Sequence, residues 1–260
     1  MGLQKYYRSN ENGNIMRYIF DWCPRYNRAI LKSENLEEVR FAFSVDKYSR
    51  NRRFSRDFSI TASGRFLTGM FVDILKYIKE NDASATIIIT PVLKEKLSCG
   101  FTFSEDPLVK LSFDFRNYQE DVIRKAIKRG YGTIVVATAG GKTIIMAGLM
   151  GTILQHHPNY KILVVMPPQL VAQTYTEFLS YGIPAHKVGK WDGDNMYSED
   201  NSIIIASTSI LVSKKQDTSW VKDVDVLIGD EAHKCKKGNS ITKLLERVKT
   251  NHKFGFTGTL

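Results

Sequence analysis

Residues 137–143 (ATAGGKT) combine small residues, two adjacent glycines, a lysine and a threonine, directly after an apolar run. Glycine lets backbone N–H groups approach phosphate oxygens closely, and a helix start adds partial positive charge. Lysine can reach the β- and γ-phosphates, and the following hydroxyl can bind Mg²⁺. The complete pattern has glycine where this chain has Val136, and a chance turn is the alternative. We predict a site for ATP and Mg²⁺ formed by Thr138, Ala139, Gly140, Gly141, Lys142 and Thr143.

A second apolar run ends in two adjacent carboxylates, within the sequence VLIGDEAH at 226–233. Ligands of open α/β sheets bind at the carboxyl ends of the strands. Asp230 could hold Mg²⁺ together with Thr143, and Glu231 could orient and deprotonate an attacking water. A solvated turn is the alternative, although the DEAH order is more specific. The predicted catalytic residues are Lys142, Asp230, Glu231 and His233.

Short apolar runs alternate with amphipathic stretches throughout residues 111–260. Runs rich in valine and isoleucine indicate strands that are buried on both faces. Strands are predicted at 133–137, 161–166, 202–206, 224–228 and 253–256, and helices at 119–128, 143–154 and 169–179. This alternation predicts an α/β domain with a parallel sheet and helices on both faces.

Residues 1–110 have a mixed pattern that predicts a separate, small and basic α/β domain. Strands are predicted at 15–20, 39–45 and 85–92, and an amphipathic helix at 65–79. Basic and aromatic residues alternate at 47–56, where cations could neutralise phosphates and Tyr48 and Phe54 could stack on bases. The cations proposed to bind DNA are Arg50, Arg52 and Arg53. The alternative is a solvated hairpin with buried rings.

The overall composition limits the classes of protein that fit. The net charge of +10 and the pI near 9.4 favour a polyanionic partner, without identifying one. Three widely spaced cysteines disfavour a disulfide framework or a zinc site and fit a reducing compartment. No apolar run approaches the roughly 20 residues of a membrane span. We expect a cytoplasmic protein, in the host cytoplasm if it comes from a phage, with no membrane association.

The order of the motifs resembles that of the superfamily-two DNA helicases with a DEAH signature, in particular the phage UvsW-like recombination helicases. These are themselves similar to RecG-like and XPB-like enzymes. The resemblance rests on RNYQ at 116–119, ATAGGKT at 137–143, MPPQLVAQ at 166–173, STS at 207–209, DEAH at 230–233 and TGT at 257–259. It covers residues 113–260, more weakly the first domain, and it implies a first RecA-like domain.

The resemblance also implies roles for particular residues, in place of ordinary roles at helix starts, strand ends and turns. It assigns adenine contacts to Arg116 and Gln119, DNA contacts to Pro167, Gln169, Gln173, Ser207 and Thr208, and coupling to Thr257, Gly258 and Thr259. A weaker candidate for DNA contact is residues 189–191 (GKW), in a polar loop.

The function implied is an ATP-dependent DNA helicase or translocase that acts on branched or partly single-stranded DNA in recombination, repair or replication. The alternatives are the motor subunit of a restriction system and a DNA-binding module with structural ATP. The sequence stops at Leu260, directly after TGT, so we expect it to be a fragment or short product that lacks the second RecA-like domain of such helicases. Because that domain supplies arginine fingers, we expect these residues alone to hydrolyse ATP weakly or not at all.

Overall fold

The computed structural model describes residues 16–48, 54–98, 100–101, 103, 108–137, 139–193, 195–213, 215–234 and 239–258. The chain forms two compact units, Met1–Leu97 and Ser98–Leu260. The sequence pattern predicts the boundary after residue 110, whereas the chain divides into the two compact units between Leu97 and Ser98. Within the second unit, the Phe101 N–H donates to the Ile127 carbonyl (2.9 Å) and the Val109 N–H donates to the Thr152 hydroxyl (3.1 Å).

The described part of the first unit combines short strands with three helices. Its strands are β1 (Arg17–Cys23), β2 (Arg28–Lys32), β3 (Ser44–Tyr48), β4 (Phe54–Phe58), β5 (Arg65–Phe66) and β6 (Thr86–Ile89). Its helices are α1 (Leu36–Ala42), α2 (Phe71–Asn81) and α3 (Pro91–Leu97), with 3-10 turns at Pro24–Tyr26 and Thr68–Met70.

Four of these strands form one sheet in the order β5-β2-β1-β6, and β3 and β4 form a separate antiparallel pair. In the larger sheet, β1 pairs antiparallel with β2 and parallel with β6. One face of the sheet and all three helices supply the buried core: Tyr18, Phe20, Ala29, Leu31, Val39, Ile60, Phe66, Phe71, Ile74, Ile78 and Leu93.

The strand predicted at 39–45 is wrong, because most of that segment belongs to α1. Leu36, Val39 and Phe43 recur at helical spacing and contribute to the core, while Arg40 pairs with Glu37 one turn away. The helix predicted at 65–79 begins later, since β5 and a 3-10 turn precede α2.

The second unit alternates strands and helices. Its strands are β7 (Gly132–Val135), β8 (Ile162–Met166), β9 (Val188–Trp191), β10 (Ile203–Ser207), β11 (Val226–Gly229) and β12 (Lys253–Thr257). Its helices are α4 (Asn117–Arg129), α5 (Lys142–His156), α6 (Pro168–Ser180), α7 (Thr208–Val212) and α8 (Ser240–Leu245). Shorter 3-10 turns lie at Ala185–Lys187, Ser219–Asp223 and Ala232–Lys234.

The six strands form a parallel sheet in the order β7-β12-β11-β8-β10-β9. Successive strand residues alternate between two cores. Ile162 and Val164 pack with α4, α5 and α6, whereas Leu163 and Val165 pack on the opposite face with α7. The predicted parallel sheet with helices on both faces is therefore confirmed.

One strand of this sheet is missing from the sequence prediction. Residues 189–191 are predicted as part of a polar loop, but they belong to the edge strand β9. Trp191 is only 2% exposed, because it packs against the rings of Tyr197 and Trp220. Of this segment, Lys190 keeps partial exposure, with its ammonium 5.0 Å from the centre of the Tyr175 ring.

Across the part of the chain that the structure describes, we find no helix of the length and apolar character that spanning a membrane requires.

Candidate active site

The turn between β7 and α5 is shaped by residues with little or no side chain. Ala139 and Gly141 have left-handed backbone conformations, with φ of 64° and 77°. A Cβ at Gly140 would lie 2.7 Å from Val136 Cγ1 and 2.9 Å from the Ala137 carbonyl oxygen. The turn thus leaves room only for backbone at position 140, as a loop that presents N–H groups to phosphates requires. Thr138 lies outside the described residues.

The first turn of α4 contacts this glycine-lined turn, which we call the phosphate loop. The Gln119 side chain is buried, its Oε1 accepts the Arg116 N–H at 3.0 Å, and its Nε2 would lie 2.6 Å from a Cβ at Gly141. The Tyr118 hydroxyl donates to the Gly140 carbonyl at 2.8 Å. Gln119 is thus next to the loop, whereas Arg116 is exposed at the start of the helix.

Tyr118 is a further residue of the site to which the motifs assign no role. Its position between the two residues assigned to adenine is the signal that could have identified it, because all three belong to the same helix start. Its hydrogen bond joins α4 to the phosphate loop, so the position of the loop depends on that helix.

Lys142 is the first residue of α5 and faces the carboxylates at the end of β11. Its Nζ lies 2.9 Å from Glu231 Oε1 and 3.2 Å from Asp230 Oδ1. The Asp230 N–H donates to the Val165 carbonyl at 2.8 Å, which ties this segment to β8. Glu231 has a left-handed backbone with φ of 52°. The structure therefore brings Lys142, Asp230 and Glu231 together from distant parts of the sequence.

These charges shift one another's proton affinity. Burial disfavours the charged form of Lys142, but the hydrogen bonds that Lys142 donates to Glu231 and Asp230 outweigh it and raise the pKa of the lysine. The hydrogen bond from Lys142 lowers the pKa of Glu231 despite partial burial. At neutral pH the site therefore holds an ammonium group and an ionised Glu231 side chain.

His233 connects the carboxylates to the end of β12. Its Nδ1 lies 2.9 Å from Thr257 Oγ1 and 3.3 Å from Glu231 Oε2. The Thr257 carbonyl in turn accepts the Val136 N–H at 3.0 Å, next to the phosphate loop. Gly258 follows directly, and Thr259 lies outside the described residues. The described part of the TGT motif thus contacts both the DEAH motif and the phosphate loop.

The residues present fit ATP and Mg²⁺. The glycine positions form a cradle that a Cβ would fill, and Lys142 supplies a positive charge beside it. The Thr143 hydroxyl on α5 and the Asp230 carboxylate offer the oxygen ligands that Mg²⁺ prefers. The site can accordingly accept an anionic, metal-bound phosphate chain.

The residues assigned to DNA contact lie at the same edge of the sheet. Pro167 follows β8 and Thr208 follows β10, and the two strands are paired with Ser207 opposite Met166. The Ser207 hydroxyl is fully buried and accepts the Ile210 N–H at 3.3 Å, so it caps α7 instead of facing solvent. Gln169 and Gln173 are exposed on α6. Arg50, Arg52 and Arg53 lie outside the described residues.

The parallel sheet, the glycine-lined turn and the lysine facing two carboxylates define a RecA-like domain of the helicase class. A family model described as Type III restriction enzyme, res subunit, matches residues 112–260, which is more than half of the chain. The chain belongs to that family.

Individual relatives agree with this assignment. The ATP-dependent DNA helicase UvsW of Enterobacteria phage T4 is 25% identical over 239 residues, covering 85% of this chain and 47% of UvsW. The helicase IRC3 of Saccharomyces cerevisiae is 33% identical over 152 residues, covering 52% of this chain and 21% of IRC3. The chain thus spans less than half the length of either relative.

The fold agrees as well. The crystal structure of the UvsW helicase from Bacteriophage T4 matches with a TM-score of 0.67 at 19% identity, covering 95% of this chain and 93% of that chain. The resemblance to UvsW-like helicases, inferred from the motifs, is confirmed.

Proposed function

We propose that the intact protein is an ATP-dependent DNA helicase or translocase that acts on branched DNA in recombination, repair or replication. Residues 98–260 would contain its first RecA-like, ATP-binding domain, and residues 1–97 would be a basic domain that binds DNA. The observation that carries the proposal is the approach of Lys142 Nζ to Glu231 Oε1 (2.9 Å) and Asp230 Oδ1 (3.2 Å). The family of the chain and its similarity to the ATP-dependent DNA helicase UvsW support it.

Each residue of the site has a distinct role in this proposal. Lys142 would exchange its two carboxylate partners for the β- and γ-phosphates of ATP, since those oxygens are also anionic. Thr143 and Asp230 would hold Mg²⁺, which when bound neutralises phosphate charge and polarises the γ-phosphorus. Arg116, Gln119, and the backbone of Ala139, Gly140 and Gly141 would position the nucleotide.

Glu231 would orient a water molecule and accept its proton. The lowered pKa of Glu231, caused mainly by its hydrogen bond with Lys142, supports an ionised carboxylate at neutral pH. His233 bridges Glu231 and Thr257, and so we propose that it transmits changes at the nucleotide to residues 257–259. DNA contacts would come from the exposed edge at Pro167, Gln169, Gln173 and Thr208.

Pro167 and Thr208 follow the paired strands β8 and β10, and Gln169 and Gln173 lie on α6, which also follows β8. This arrangement supports a continuous contact with one DNA strand. We propose that the helicase activity takes place in the cytoplasm, which the cysteine usage of the sequence favours. The second RecA-like domain of such enzymes would provide the rest of the ATP site, and it is therefore a proposed partner.

Nucleotide binding tests the proposal directly. Lys142→Ala should weaken the binding of a fluorescent ATP analogue with Mg²⁺ by about 100-fold, because the phosphates lose their charge partner, roughly 2.7 kcal/mol. Glu231→Gln should keep affinity within about threefold, since that residue acts on water. The measurement is fluorescence anisotropy of the 260-residue chain. Equal affinity of the wild type and Lys142→Ala would refute the nucleotide site.

A second function has one observation in its favour, the description of the family as a restriction-enzyme subunit. A motor subunit of a restriction system would use the same ATP site with a nuclease partner. Copurification of a nuclease with the intact protein would favour this alternative. Survival of the biological activity in both Lys142→Ala and Glu231→Gln would instead favour a DNA-binding module with structural ATP.

A further inference from the structure

We propose that the open face of the four-stranded sheet in the first unit binds a single polynucleotide strand. The opposite face packs on the helices through Tyr18, Phe20 and Leu31. Side chains alternate between faces along a strand, and paired residues on adjacent strands share a face. The open face therefore carries Arg17, Ile19, Asp21 and Cys23 of β1, Arg28, Ile30 and Lys32 of β2, Arg65 of β5, and Thr86 and Ile88 of β6.

Each row of paired residues across this face contains one cation. Strand pairing puts Arg17 beside Thr86, Lys32 beside Ile19, Arg65 beside Ile30 and Arg28 beside Cys23. Successive rows are about 6.6 Å apart along the strands, because each residue rises about 3.3 Å, so the four cations of β1, β2 and β5 together form a stepped row. Such a row can follow the regularly spaced charges of an extended phosphate backbone.

The open face is positive because its strand residues carry more cations than carboxylates. Asp21 accepts hydrogen bonds from Lys32 Nζ (2.9 Å), the Trp22 N–H (2.8 Å) and the Thr90 hydroxyl (2.9 Å). The hydrogen bond with Lys32 is the main reason that the pKa of Asp21 is lowered. Four cations and one carboxylate leave a formal charge of 4 − 1 = +3 on these strand residues.

Apolar and aromatic groups lie between and beside the cations. Ile88 is 42% exposed and is paired with Ile19, which gives the face an apolar strip. At one end Tyr26 is 47% exposed, and the Arg65 guanidinium lies 3.8 Å from the centre of its ring. Unpaired bases can pack on such groups, while the bases of a duplex stay stacked inside it. These contacts favour a single strand over a duplex or an acidic protein.

This inference rests on the proposed nucleic-acid function and assigns it a second contact surface, apart from the ATP site. The test is a triple variant, Arg17→Gln, Lys32→Gln and Arg65→Gln, and its matched control is Lys76→Gln, Lys79→Gln and Lys94→Gln. The control removes the same charge from exposed helix positions of the same unit. The probe is a labelled oligothymidylate of about 20 nucleotides, longer than the footprint of one small domain. Binding is measured by anisotropy at several salt concentrations without nucleotide.

The sheet variant should bind at least about tenfold more weakly at low salt, and its salt slope should fall by about two, since each single-strand phosphate contact contributes about 0.7. The control should keep the wild-type slope and most of the affinity. Ile88→Ser should weaken binding of the oligothymidylate about threefold and leave binding of a duplex unchanged.

Circular dichroism and thermal unfolding of both triple variants separate misfolding from lost contacts. Equal loss in both triple variants, or none in the sheet variant, would overturn the inference and leave the proposed function intact. If the wild-type chain binds ATP but no oligonucleotide, both this inference and the proposed DNA-directed function are refuted.

Discussion

At the carboxyl ends of the strands of the second unit, charged side chains meet at a glycine-lined turn, whereas at the amino ends aromatic and histidine rings stack on one another. The charged end has Lys142 between Asp230 and Glu231. At the other end, the rings of Phe101 and His252 stack with centres 4.1 Å apart. The two ends of one sheet are therefore held by different forces.

The stacked cluster joins elements that are distant in the sequence. Phe103 stacks on His156 at the end of α5, and His157 stacks on Tyr160. The His252 Nδ1 lies 3.1 Å from the Gly130 carbonyl at the end of α4. These contacts tie α4, α5 and the start of β12 together, so the charged end can exchange partners without loosening the fold. Mutations at the aromatic end should therefore leave Mg²⁺-ATP binding unchanged. Mutations at the charged end should leave the contribution of the aromatic end to the free energy of unfolding unchanged.

The largest effect is expected at the aromatic end. Phe101→Ala should lower the free energy of unfolding by about 3 kcal/mol, because it removes a ring that packs against the core and two stacking partners. Urea denaturation measures this loss, and Met196→Ala, at a position 74% exposed, should cost less than about 0.5 kcal/mol. A folded Phe101→Ala chain with impaired ATP binding would contradict the independence of the two ends.

The next effect is expected at the charged end. Gly141→Ala should weaken binding of Mg²⁺-ATP about tenfold, because alanine disfavours the φ of 77° and its Cβ would meet Gln119 Nε2 at 2.6 Å. Gly193→Ala is the matched control, since a Cβ there meets nothing within 4 Å. Isothermal titration would give both affinities, and wild-type affinity in Gly141→Ala would show that the loop tolerates a side chain.

Acid should affect the aromatic end first. Burial lowers the pKa of His252 from 6.5, and the nearby His157 lowers it further, against the raising effect of the Gly130 hydrogen bond. The unfolded chain therefore binds a proton at this residue at a higher pH than the folded chain does. The free energy of unfolding should fall as pH drops below about 6.5, by at most about 1.4 kcal/mol per pH unit from this group.

The pKa of Glu231 is also lowered, mainly by its hydrogen bond with Lys142, but from 4.5. Its stabilising contribution is present above that value and is lost only as the pH falls below it. Between about pH 5 and 6.5 the change should therefore come from the aromatic end. Unfolding of His252→Gln across this range gives the comparison, and an unchanged pH dependence in that variant would exclude His252 as the cause.

Physical differences between the units explain which parts of the fold could be predicted. The strands β8, β10 and β11 are buried on both faces, so their continuous Val and Ile runs are unambiguous. The α1 segment is short and mixes apolar with charged residues, so its pattern also fits a strand. Likewise, β9 is an edge strand of four residues whose burial depends on Trp220, far away in the sequence.

The candidate site also contains both residues that the sequence predicts and contacts that only the fold shows. Lys142, Asp230 and Glu231 stand in short local motifs, and their chemistry follows from residue type and from position at a strand end. The burial of Ser207 as a helix cap and the bond from Tyr118 to Gly140 depend on how α7 and α4 pack. The place of Tyr118 within RNYQ marks it as a candidate residue, but the sequence does not specify the partner of either side chain.

The smallest effect concerns that bond. Tyr118→Phe keeps the ring but removes the hydroxyl that donates to the Gly140 carbonyl at 2.8 Å, so the loop should lose part of its support. One neutral hydrogen bond contributes about 0.7 kcal/mol, which corresponds to about a threefold loss in Mg²⁺-ATP affinity. Tyr131→Phe, near the aromatic end, is the matched control and should bind as the wild type does. If both variants bind equally well, nucleotide binding does not need this hydrogen bond from α4 to the loop.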